Sequence, residues 1–590
     1  MRRERVCSKG RARQAPRFQG QGKNRFRFEV REVSLMKPTL LITLLLSVFL
    51  TEVRAQPGHQ HEPEDKANIK LGKVDFRVSC SPKVQKQFNR AVAWLHSFEY
   101  EESEKAFAEI SALDPRCGMA YWGIAMSNFH PLWVPPTPTE LERGSLAAQK
   151  AQTVGASTQR ERDYISAIGT FYKDADKVDH RTRTFAYCDS MKRLYQTNTT
   201  DLEAAVFYAL SLVTTGTMTH DTTYAREKEA AKILNRALAR EPNHPGVAHY
   251  LIHGYDYPSL AYLALPAARS YAKIAPASAH AQHMPSHIFT RLGLWQEAIR
   301  SNLDAHAAAR AYAVRHHLPD AWDEQLHAMD YLVYAYLQGA QDKKAFAVLE
   351  ELNHLRGIDP LNFKVAYAVS AIPARYALER RQWSEAANLP LNPPNMPDFP
   401  WEKFRWAESQ IHFARAIGAA HTGDIASARK EIEILASINS SMSTVKGDYD
   451  WAKQVEIKRM VASAWLAHAE GENEEALKLM RMVADLDDQT EKHPVTPGSL
   501  LPAREQLGEL LLELKQPAAA LHEFEVALHN TPNRFNALYG AARASKAAGD
   551  KKKAVGYFSR LAEICVHADS ERPALQEARA SLPGSRNGAK

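Results

Sequence analysis

A recurrence near the C-terminus constrains this chain more than any other feature. LPAREQLGELLLELKQPAAALHEFEVALHNTP sets Gly508, Ala520, Phe524, Ala527 and Pro532 at fixed distances, and FNALYGAARASKAAGDKKKAVGYFSRLAEI repeats the scheme with Ala542, Gly549, Ala554 and Phe558. A period of about 34 residues, with small residues where two helices must touch, describes a helical hairpin that cannot bury its own apolar face. Stacked neighbours complete it. No alternating strand pattern and no glycine-rich phosphate loop competes with this period. The expected fold class is all-α, a solenoid of helical hairpins.

The same period reaches back to the first third of the chain. FNRAVAWLHSFEYEESEKAFAEISALDP is a hairpin with Ala91 and Ser103 at its contact and Pro115 at its end. The run PLWVPPTPTE interrupts the next unit; so many prolines cannot be helical, so a loop over one rim is expected, with Thr139 as N-cap of the helix beyond. Such loops are frequent ligand holders, which singles out His130 and Trp133. The organisation expected is a linker at 56–73, an array at 74–388, a Pro/Asn-rich linker at 389–400, a second array at 401–570 and a tail at 571–590.

The start of the chain has a different character. Residues 1–35 carry eleven Arg and Lys (Arg2, Arg3, Arg5, Lys9, Arg11, Arg13, Arg17, Lys23, Arg25, Arg27, Arg31) against Glu4, Glu29 and Glu32, a net +8 that accounts for the +7 of the whole chain. The remainder is near neutral and lacks the basic footprint of a nucleic-acid binder. Met36 then opens a second beginning: Lys37, the apolar run Leu40 to Leu50, and Val53-Arg-Ala55 before Gln56. That order reads as a secretory signal peptide, Met36 to Ala55, preceded by a basic leader, with no stable membrane span once it is cleaved. A periplasmic or secreted mature chain is expected. It keeps Cys80, Cys117, Cys188 and Cys565; the first two flank the first hairpin, and in an oxidising compartment a Cys80–Cys117 bridge is expected there, with buried free thiols as the alternative.

A small residue at position eight, a large apolar residue at eleven, Ala at twenty, a large apolar residue at twenty-four and Pro at thirty-two resemble the tetratricopeptide repeat superfamily. That resemblance implies a right-handed superhelix and a scaffold for a peptide, protein or small-molecule ligand. CSPKVQKQFNRAVAWLHSF, DPRCGMAYWGIAMS, HYLIHGYDYP, HMPSHIFTRLGLW and HAMDYLVYAYLQ further resemble a group of exported bacterial repeat proteins.

Between His244 and Tyr334 the repeats carry histidines in a common phase. His249/His253 and His283/His287 are each four apart, so each pair shares one face of a helix. Counted from the preceding prolines, they fall at the fifth and ninth positions of two successive first helices, with His280 at the second; His327 and Asp330 take the second and fifth positions of the next. Helices pack about 8 to 10 Å apart, a gap that two facing imidazoles and one ion can bridge. The set His249, His253, His283, His287, His327 and Asp330 is therefore a metal-ligand candidate, with zinc, iron or copper as the ions that imidazole suits. His280, Tyr255, Asp256 and Glu324 complete the lining of the groove. Two functions follow: a scaffold binding a ligand in a histidine-rich concave groove, or a metal-dependent hydrolase or oxidoreductase using the cluster. The alternative for the histidines themselves is an ordinary polar lining, hydrogen-bonded to Tyr250, Tyr255 and Asp256. No HExxH is present, and a Ser286–His283–Asp256 triad lacks an oxyanion element. Pro285, between His283 and His287, is expected to disturb its helix at the carbonyl of Ala281.

Overall fold

The computed structural model describes residues 69–132, 135–219, 221–442 and 449–583. The signal peptide and leader expected before Gln56, and Trp133, lie outside them. From Gln85–His96 and Tyr100–Leu113 onward, helices follow one another as antiparallel hairpins to Phe535–Ala547, Lys551–Ile564 and the closing Pro573–Ala580. The one departure among the described residues is a two-residue parallel bridge, Ala321–Trp322 with Ile358–Asp359. None of the described helices is long and apolar enough to cross a membrane.

Local chemistry sets the helix ends. Thr137, two residues before the expected Thr139, caps the helix Pro138–Val154 in a reciprocal capping box with Glu140. Asp201, Ser278 and Asp450 each accept a backbone N–H of the first turn that follows, meeting donors a helix start otherwise leaves unpaired. Pro245 and Pro517 occupy first-turn positions where no N–H is needed.

Small residues fix the hairpin contacts. The Phe524 ring fills the space above Gly508 and Gly540; a Cβ on Gly540 would sit 2.2 Å from Phe524 Cζ. Phe107 uses Gly123 in the same way, at 2.3 Å from its Cδ1. Ser103 Oγ donates to the carbonyl of Ala91 at 3.1 Å, at the contact of the first hairpin. Cys80 and Cys117, which flank that hairpin, are joined by a disulfide, with Cα atoms 4.9 Å apart, while Cys188 and Cys565 are buried free thiols.

Pro285 differs from expectation. The chain forms two segments, Ala279–His283 and Pro285–Arg291, joined through a Met284 that keeps helical dihedrals. The proline stands at the first turn of the second segment, so its missing N–H interrupts the ladder without turning the chain, and His283 and His287 stay on one face.

The array also curls back on itself. Trp295 Nε1 donates to the carbonyl of Asn533 at 2.7 Å, and Arg291 reaches Glu491 at 3.1 Å. Arg534, fully buried, meets Glu379 at 2.8 Å, Glu505 at 2.9 Å and the Tyr334 hydroxyl at 2.8 Å. Repeats some two hundred residues apart thus enclose the interior in which the histidines lie.

Candidate metal centre

Three first helices aim imidazoles at one interior space: Pro245–Gly254 supplies His249 and His253, Ala279–His283 with Pro285–Arg291 supplies His280, His283 and His287, and Asp323–Gln338 supplies His327. They form two groups of three. The nitrogens of His249, His253 and His280 lie within 4.8 Å of one another, and so do those of His283, His287 and His327. The groups adjoin, with the His253 and His287 ring centres 6.4 Å apart and those of His280 and His283 6.5 Å apart.

The outer partners decide which nitrogen each ring presents. His249 Nδ1 donates to the backbone carbonyl of His96 at 2.7 Å, leaving Nε2 as a lone pair directed at His253 Nε2, 2.9 Å away, and His280 Nε2, 3.2 Å away. His283 Nδ1 lies 2.7 Å from Asn302 Oδ1, and Asn302 Nδ2 donates to Ala298 O at 2.8 Å, which orients the amide and puts the hydrogen on His283 Nδ1. His287 Nδ1 lies 3.0 Å from Asp256 Oδ2, an acceptor whose other oxygen takes Arg291 Nε at 2.8 Å. In their neutral forms His283 and His287 therefore turn lone pairs toward each other across 3.0 Å. Two such nitrogens repel unless something positive lies between them. Bonds of about 2.0 to 2.1 Å to one ion separate two nitrogens by about 2.9 to 3.4 Å at angles from square to tetrahedral. A carbonyl, an amide and a carboxylate behind three of the rings is the outer-shell arrangement that metal-bound imidazoles use.

Burial suppresses the competing proton. It lowers His249, His253, His283 and His327 well below the ordinary imidazole value, and neighbouring imidazoles push the same way. His287 is lowered by burial too, with Asp256 opposing. Neutral imidazole is the form that binds a metal. Asp256 stays ionised: burial works against its charge, but Lys492, Arg291 and His287 hold its carboxyl far below the usual range.

Other expected residues fall elsewhere. Asp330 is a correction: it does not join the donors, because its turn of the helix faces the helix Phe363–Glu379, where Arg375 Nε lies 3.9 Å away. Burial raises its carboxyl to about 6, against the opposing Arg375. Tyr255 also turns away, toward Asn235, and Tyr250 hydrogen-bonds His96 Nδ1 at 2.9 Å. His280, expected only to line the groove, is a donor of the first group. Glu324 lies beside it, 3.9 Å from His280 Nδ1, and is bound at 2.5 Å by Lys364, which also reaches Asp323. Burial works against the Glu324 charge, but Lys364, His280 and His327 together hold its carboxyl well below the usual range. His130 stacks on Tyr100 at 4.5 Å and pairs with Glu140 at 3.6 Å.

A third cluster leaves no local sign in the sequence. Glu203, fully buried, takes His96 Nε2 at 2.8 Å and His244 Nε2 at 2.9 Å, one on each oxygen. Both imidazoles are satisfied as donors, so the cluster reads as a hydrogen-bonded clamp that holds His96 and hence the carbonyl behind His249. Phe98 was missed as well; its ring centre is 4.4 Å from that of His249 and 5.6 Å from that of His253.

No protein-family profile and no curated protein matches the sequence. Among solved structures, the TPR domain of P58(IPK) aligns at 13% identity over 66% of this chain and 99% of that one, with a TM-score of 0.19. The structure of Naa15/Naa10 bound to HypK-THB aligns at 12% identity over 85% and 96%, with a TM-score of 0.24. Those scores are too low to carry an argument about shape. The class follows from the chain's own elements: the described residues form an all-α array of helical hairpins.

Proposed function

We propose that this scaffold binds transition-metal ions in its interior, one in each three-imidazole group. The observation that carries the reading is the facing pair of lone pairs on His283 and His287, 3.0 Å apart, with both Nδ1 atoms already committed. An all-nitrogen donor set suits copper, zinc or iron and not magnesium or calcium. Three protein ligands per ion leave a position for water or substrate, the pattern of catalytic rather than closed structural zinc sites, and this favours a metal-dependent hydrolase or oxidoreductase. His249 and His283 are 0% and 1% exposed, so an ion fits the space and a peptide does not. Peptide or protein partners, if the scaffold takes them, belong on its outer faces.

The test is elemental analysis of tag-free protein purified without chelators. About two ions per chain are expected, and about one in a His283→Ala/His287→Ala variant, if each group holds its own. Protein that neither retains nor takes up copper, zinc or iron would leave the cluster as a site for a small anion, with affinity falling as pH rises through the lowered range of these buried imidazoles, below the ordinary 6.5.

We also propose that the mature chain begins near Gln56 outside the cytoplasm; the joined Cys80–Cys117 pair agrees with an oxidising compartment. N-terminal sequencing from the native host is expected to start at or near Gln56. A cytoplasmic chain starting at Met1 would refute it.

A further inference from the structure

The two three-imidazole groups are each covered by an aromatic ring, and the two rings differ by one hydroxyl. Over the first lies Phe98, its ring centre 4.4 Å from that of His249, 5.6 Å from that of His253 and 5.8 Å from that of His280. Over the second lies Tyr331, at 4.7 Å from His283, 5.1 Å from His287 and 5.5 Å from His327. Tyr331 stands four residues after His327 in the helix Asp323–Gln338, so helical spacing puts both on one face. A phenyl ring offers no hydrogen bond to anything held on an ion beneath it. The tyrosines beside the first group send their hydroxyls elsewhere, Tyr250 to His96 Nδ1 at 2.9 Å and Tyr271 toward Ser97.

The Tyr331 hydroxyl, on a side chain that is fully enclosed, has no well-placed acceptor for its hydrogen. Its oxygen lies 3.4 Å from both Nδ1 and Nε2 of His287, beyond the usual span of an O–H hydrogen bond. Equal distances place it midway between the two nitrogens, off the lone-pair axis of either. Nδ1 carries the hydrogen given to Asp256, and the Nε2 lone pair is directed at His283 Nε2. A buried donor in that state is costly unless a ligand supplies the acceptor. Three protein ligands leave a position open on each ion, and an ion about 2.0 to 2.1 Å from His287 Nε2 lies at most about 5.5 Å from the hydroxyl. A bound molecule of two or three atoms spans that gap.

We propose that the ion held by His283, His287 and His327 is the one that takes an exogenous ligand, a small anion of two or three atoms, and that Tyr331 donates a hydrogen bond to it. The ion of the first group, covered by Phe98, takes none. The inference rests on the metal reading and adds to it a division of labour between the two groups.

Titration of copper(II)-loaded protein with azide, followed by the azide-to-copper charge-transfer absorption, tests it. A single azide per chain is expected to bind. Tyr331→Phe is expected to keep its copper content and its azide-free copper spectrum, and to bind azide about tenfold more weakly, the usual contribution of one hydrogen bond to a charged acceptor. A tyrosine that only packs the site would leave azide affinity alone. Azide binding is expected to survive in His249→Gln/His253→Gln and to vanish in His283→Ala/His287→Ala. Equal affinity in Tyr331→Phe, two azides per chain, or the reverse order of the histidine variants overturns this inference with copper still bound; protein that takes up no copper overturns the metal reading as well. The two histidine variants decide the outcome if Tyr331→Phe does not fold.

Discussion

At the scale of single residues, the imidazoles are held neutral by burial, and this has a consequence for stability. His249, His253, His283 and His327 have native values below the 6.5 of an unfolded histidine. As pH falls below 6.5 the unfolded chain binds protons that the native chain refuses, so stability is full above 6.5 and is lost downward toward the lowered native values. Each pH unit of that window is worth up to about 1.4 kcal/mol per histidine. Metal-stripped protein is therefore expected to show a midpoint of thermal unfolding that drops steadily between pH 7 and 5. A His249→Gln/His253→Gln variant is expected to flatten the drop. An unchanged slope would mean that these rings are not the groups responsible.

At the scale of elements, the hairpin contact is a ring set over a glycine. Gly540→Ala places a methyl group 2.2 Å from Phe524 Cζ, in a space that Gly508 on the facing helix leaves no room to widen. A loss of about 1 to 3 kcal/mol is expected from such overpacking, read as a lower urea midpoint with unchanged helical signal. In a repeat array the loss belongs to the C-terminal units first. Hydrogen exchange that speeds up evenly along the chain would contradict that local picture.

At the scale of the whole molecule, closure depends on Arg534. It is buried with Glu379 and Glu505, and Asn536 Nδ2 donates to Glu379 Oε2 at 3.0 Å. Removing the cation strands two buried carboxylates, and Arg534→Ala is expected to cost about 3 to 5 kcal/mol. Arg534→Met together with Glu379→Gln and Glu505→Gln is expected to recover part of it, because no unpaired charge remains. Chemical denaturation of the two variants checks the comparison; equal losses would show that packing and not charge is what matters there.

The sequence by itself determined the repeat, since Gly508, Phe524, Ala542 and Phe558 recur at distances only a stacked hairpin uses. It also determined the shared phase of His249, His253, His283, His287 and His327, because helical spacing fixes which face a residue occupies. It could not determine reach. Asp330 has the phase of a ligand, yet it faces the next helix, with Arg375 Nε 3.9 Å away. His280 becomes a donor because its Nε2 comes within 3.2 Å of His249 Nε2 on the preceding repeat. The hydrogens on His249, His283 and His287 are placed by His96, Asn302 and Asp256, partners drawn from as far as 153 residues away. Periodicity is local and can be read along a line; which lone pairs face each other depends on how helices distant in sequence pack, and only the tertiary structure decides that.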